Sequence, residues 1–143
     1  MTATDRHQLA EKLLRFISTC PSVPVKGGRF SLDGVGAELP GMSIMFAPGK
    51  FAPDVLGAES VSQPFGLYYK SKDTENDATK AAMAGAINEV GYWLKDLSDS
   101  AWPDLGKTIK IFKLQQITTA HLVQRDNGEL LYVGDFLLVY DQE

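Results

Sequence analysis

DNGELLYVGDFLLVYDQE, residues 126–143, is a turn followed by a strand with two largely apolar faces. Successive side chains of a strand point to opposite sides. Val133, Leu137 and Val139 therefore share one face, and Tyr132, Phe136, Leu138 and Tyr140 share the other. A small domain has one core, so one face is expected to pack on the chain's own helices and the second to be left for a neighbour. Asn127-Gly128 makes the turn, because both residues tolerate the positive φ of a tight hairpin. The preceding segment, KTIKIFKLQQITTAHLVQR (107–125), is too long for one regular strand and is expected to bulge or break near Gln115-Gln116.

Working back along the chain, DTENDATKAAMAGAINEVGYWLKDLSD (73–99) is the clearest helix. Asp73 or Thr74 is expected to cap it, alanines favour it, and Met83, Ile87, Val90, Leu94 and Leu97 form its apolar stripe, with Trp93 flanking. Gly85 and Gly91 weaken it, which predicts something packed closely at both. A first helix over residues 4–19 carries Leu9, Leu13, Phe16, Ile17 and Cys20 at spacings of three and four and ends before Pro21. FGLYYKSKD (65–73) reads as a strand running into a turn, and SVPVKGGRFSLD (22–33) as one weak strand.

Residues 34–64 hold five Gly and four Pro, and only MSIMF looks strand-like. The stretch is too apolar for a plain linker, which predicts an arm that orders against something else. The order of elements gives one domain over 1–143, of α+β class. Its mainly antiparallel sheet of about four to five strands carries two helices on one face, plus the long Gly/Pro-rich arm.

Composition narrows the function classes. The net charge of -4 and the scattered basic residues argue against a nucleic-acid binder that reads phosphates or sequence. One cysteine, Cys20, excludes an internal disulfide and a cysteine-based metal framework. The opening lacks the apolar segment of a signal peptide, and no window is apolar enough for a membrane helix, so synthesis and folding in a cytoplasm are expected.

No constellation for chemistry emerges. His121 and Asp126 lie near Ser and Thr residues, but no nucleophile elbow accompanies them. GVGAELPG (34–41) lacks the Lys-Ser or Lys-Thr of a phosphate loop. KSKDTEND (70–77) lacks the spacing of a calcium loop and reads as a solvated helix start. The aromatic residues Phe65, Tyr68, Tyr69, Tyr132, Phe136 and Tyr140 could stack bases, but without a basic frame a protein interface is the better reading. The expectation is a non-enzymatic protein with no cofactor and no metal.

Lys70-Ser71-Lys72-Asp73 at the end of a strand, Leu94 and Leu97 closing a helix, and the Asp126–Gly128 hairpin running to Tyr140 carry a resemblance. In these features the chain is similar to the small minor capsid or tail terminator proteins of long-tailed phages of Gram-positive bacteria. The resemblance covers roughly the last eighty residues and the opening helix. It implies an α+β subunit that closes into a six-membered ring, caps the tail tube and meets the head–tail connector. The partners implied are further copies of the chain, the tail tube protein and the connector protein, with the virion's head–tail junction as location and no membrane. A ring subunit needs two different sticky surfaces. Met45, Phe46 and Phe51 of the arm, with Tyr132, Phe136, Leu138 and Tyr140 of the last strand, are the residues expected there. Two alternatives compete: another phage neck or tail-completion protein, and a cytoplasmic small-ligand or protein-binding domain. In the latter, residues 34–64 would be a lid over a pocket lined by Met45, Phe51 and Trp93.

Overall fold

The computed structural model describes residues 3–25, 29–53, 59–97 and 99–142. The order is α1 (Ala3–Ser18), β1 (Phe30–Leu32), β2 (Gly41–Phe46), β3 (Lys50–Pro53), β4 (Glu59–Lys72), α2 (Asp77–Asp96), β5 (Ile109–Gln116), β6 (His121–Asp126) and β7 (Glu129–Gln142). The fold is α+β, as the alternation of elements predicts.

Two strands of 14 residues, β4 and β7, form the centre and pair antiparallel along their whole length, from Glu59 opposite Gln142 to Lys72 opposite Glu129. Each carries two shorter strands in line on its outer side. β2 and β3 share the free side of β4, β5 and β6 share the free side of β7, and β1 adds a short parallel row beyond β2. The Asn127-Gly128 hairpin forms as read, with φ of 51° and 73°.

The register decides which face of β7 is the core. Phe65 opposes Phe136, Tyr69 opposes Tyr132 and Val61 opposes Tyr140. The Phe65 and Phe136 rings stack at 5.4 Å between centroids. Leu9, Leu13 and Ile17 of α1 and Met83, Ile87, Val90 and Leu94 of α2 close over this face, and all belong to one buried cluster with it. The expected stripes of both helices are thus the packed ones, and the Phe16 and Trp93 rings join the helices at 5.1 Å. Cys20 is a buried member of the same cluster.

The expectation that Tyr132, Phe136, Leu138 and Tyr140 face a neighbour is corrected here: their exposures are 8%, 0%, 0% and 3%. The physical reason is charge. Between Leu130 and Tyr140 the even-numbered face carries none, whereas the odd-numbered face carries Asp135 and, one residue past Tyr140, Asp141, which are costly to bury unpaired. The face of β7 left uncovered by the helices holds Leu131, Leu137 and Val139, each partly exposed.

Residues 34–64 also differ from the expected arm. Met42 and Ile44 of β2 are buried in the core, β3 pairs with the start of β4, and β4 begins six residues earlier than the sequence suggests. Met42 and Ile44 are thus covered by the chain itself, whereas Met45 and Phe51 stay exposed. Val55 and Leu56 lie outside the described residues.

The start of α2 is displaced from Asp73 or Thr74 to Asn76, whose side chain accepts the Ala78 N–H at 2.8 Å. Asp73 is otherwise engaged. Its carboxylate accepts from Glu75 N at 2.9 Å and from Arg125 Nε at 2.6 Å, and its own N–H donates to Gly128 O at 2.7 Å. It ties the helix approach to the β6–β7 turn.

Candidate functional site

Among the described residues a groove of about 650 Å³ opens between α2 and β5, at the open edge of the sheet. Two glycines pack closely against Gln116, one of the residues that line it. A Cβ on Gly91 of α2 would overlap Gln116 Oε1 and lie 2.9 Å from Gln116 Cβ, and one on Gly134 of β7 would lie 2.6 Å from Ile87 Cγ2. Only glycine lets the helix, the Gln116 side chain and β7 approach this closely. The close packing predicted at Gly91 is found, while a Cβ on Gly85 would meet nothing within 4 Å.

Gln116 floors one end of the groove and is held in place. Its Nε2 donates to Asn88 Oδ1 at 2.9 Å and to Thr118 O at 2.8 Å, and Asn88 Oδ1 also accepts from Ala120 N at 2.9 Å. The break in the long segment falls at Ile117–Ala120, just after the Gln115-Gln116 position expected. There Ile117 and Thr118 N–H both reach Asp135 O, at 2.7 and 3.2 Å. The Thr118 hydroxyl donates to Asp135 Oδ2 at 2.9 Å and accepts from Asp135 N at 3.0 Å. The strand stops pairing regularly because Asp135 takes the bonds that would continue it.

The rim is apolar and exposed. Tyr92 of α2, Phe112 of β5 and Ile117 beyond it are 61%, 50% and 48% accessible. Phe112 is extruded by a bulge between Ile111 and Lys113, where two residues of β5 span one step of β7. The Lys110 ammonium lies 5.5 Å from its ring centroid, a cation–π distance. Lys95 and Lys113 line the groove and no acidic residue does. Trp102 lines it too, and among the described residues its indole Nε1 is buried without an acceptor.

The other edge of the sheet is different in shape. Phe51 on β3 is 59% exposed, Met45 on β2 is 38% exposed, and Phe46 is partly buried against the core, 6.2 Å from Phe65 between ring centroids. Met45 opposes Gly66 and lies on the face away from the helices, whereas Phe51 opposes Val61 and lies on the helix side. Of the seven residues expected at an interface, Met45 and Phe51 are on the surface, Phe46 is half-covered, and four are core. Tyr92, Phe112 and Ile117, exposed at the groove rim, were not among the residues expected there. The bulge that exposes Phe112 is written in pairing geometry and has no local sequence mark, but Tyr92 beside the α2 stripe could have been found by placing it on the helical wheel.

The residues proposed to line a ligand pocket do not converge. Trp93 packs on Phe16, and neither Met45, Phe51 nor Trp93 lines the groove. His121 is exposed on β6, its Nδ1 3.2 Å from Thr119 O. Among the described residues no group of three or more His, Cys, Asp or Glu could hold a metal ion, and no helix is long and apolar enough to cross a membrane.

No family model and no curated protein sequence matches the chain. Its fold is similar to a chain in the solved virion of a native gene transfer agent particle. The two superpose with a TM-score of 0.50 over 96% of this chain and 91% of that one, at 16% identity. At that identity the likeness establishes a shared fold.

Proposed function

We propose that the chain is a non-enzymatic structural subunit of a phage-like virion, a tail terminator or minor capsid protein that forms a ring at the head–tail junction. The observation that carries the reading is the fold likeness to a gene transfer agent virion chain, which runs over nearly the full length of both. Surface chemistry supports it. The exposed side chains offer aromatic and aliphatic contacts at two opposite edges of one sheet, and apolar groups exposed in clusters favour protein partners over solvent.

Two dissimilar edges are what a closed ring requires, since each subunit meets its neighbours through different surfaces. A six-membered ring is the order the phage resemblance implies, with the tail tube and the head–tail connector above and below. Native mass spectrometry at rising protein concentration tests the reading, alone and with purified tail tubes. A closed oligomer of one size, or a monomer that assembles on tube ends, is the expected result. A protein that stays monomeric and binds neither tube nor connector overturns it.

A further inference from the structure

Deepening the ring reading, on which it rests, we propose that the α2/β5 groove of one copy receives Phe51 of the next copy, so that opposite edges of the sheet meet head to tail. Phe51 and the groove lie on the same, helix-bearing side of the sheet but at its two opposite edges. A knob and a hole placed this way cannot satisfy each other within one chain, and in a repeated head-to-tail contact each copy uses both.

Charge agrees with this pairing. Glu59 shares the helix-side face of the β3–β4 pair with Phe51, whereas Lys50 falls on the opposite face. The groove that would receive them is lined by the exposed Lys95 of α2 and by no acid. Direct strand pairing between the two edges is disfavoured. β5 carries Lys110, Lys113 and a bulge, and β3 ends in Pro53, features that block edge-to-edge extension of a sheet. The contact is therefore one of side chains in a groove.

Disulfide trapping tests it. An Ala52→Cys chain and a Thr119→Cys chain, both keeping Phe51 and Tyr92, are oxidised separately and as a mixture, with wild-type assembly followed in parallel by light scattering. Ala52 adjoins Phe51 and Thr119 lines the groove, both are exposed, so both variants keep the core, and native Cys20 is buried and does not compete. Head-to-tail docking yields covalent dimers in the mixture and few from either variant alone, because a disulfide needs Cα atoms within about 7 Å. The chain carrying both substitutions yields a ladder whose last rung reads the ring order.

Phe51→Ser, with the native cysteine only, is expected to raise the concentration needed for assembly at least about tenfold, the scale of one lost aromatic burial. Equal dimer yields from single variants and mixture overturn the proposal. So does a wild type that assembles while the mixture gives no dimer, which leaves the ring reading standing. A wild type that neither assembles nor cross-links fails both.

Discussion

Gly85 and Gly91 lie six residues apart on α2, and the same substitution at the two should act in opposite directions. Glycine costs a helix about 1 kcal/mol relative to alanine. At Gly85 an added Cβ meets nothing within 4 Å, so Gly85→Ala should stabilise the protein by up to about 1 kcal/mol. At Gly91 the added carbon meets a Gln116 side chain pinned by Asn88 and Thr118. There the overpacking, about 1–3 kcal/mol, exceeds the helix gain. Gly91→Ala should lose about 1 kcal/mol net, and urea unfolding of the two variants checks both signs. The glycines were legible in the sequence as anomalies in a good helix, but the partner that explains Gly91 lies 25 residues on and is brought there only by the fold. The assignment of faces on β7 was legible too. Asp135 and Asp141 mark the outward side, and hydrophobic content alone, rich on both sides, could not decide between them.

Among the elements, α1, α2, the hairpin and the break after Gln116 were readable because each carries its own local signal: a stripe, a cap, an Asn-Gly pair, a run too long for one strand. The first half of β4 was not. Pro64 argues against a central strand, yet it sits opposite Leu137 in the middle of the sheet. Its O accepts from Ala47 N at 2.9 Å, and the N and O of one strand residue point to the same side. Its missing N–H therefore faces the gap where β2 has ended and β3 has not begun. The link between α2 and β6 carries a pH dependence. The Glu75 N–H, and after it Arg125, hold the Asp73 carboxyl below its ordinary value of 3.8 against the opposing effect of burial. A group depressed in the folded state contributes stability that is fully present above its unfolded pKa and is lost as pH falls through the folded one. Thermal unfolding between about pH 2 and 6 should show a slope at the acid end that Asp73→Asn flattens.

For the molecule as a whole, stability should grade from the centre outwards. β4 and β7 are flanked on both sides, whereas every residue of β6 is exposed. Native-state hydrogen exchange should find the slowest amides in 65–69 and 132–138 and much faster exchange along 121–126. Residues 42–44 of β2 should be slow as well, opposite to what an arm would give, and fast exchange there would contradict the core placement of Met42 and Ile44. The candidate docking surfaces were the least legible feature, because exposure depends on which strands end up at the edges, and the order of rows is a property of the complete sheet. One consequence follows from the long unbroken ladder between β4 and β7. Losing a single residue from the middle of β7 would rotate everything beyond it by half a turn, driving the carboxylates of Asp135 or Asp141 into the oily layer and Phe136 or Leu138 out into water. Natural variation in chain length should therefore be confined to the joints at 47–49 and 117–120, where the outer rows are already interrupted and the inner ones need not change step.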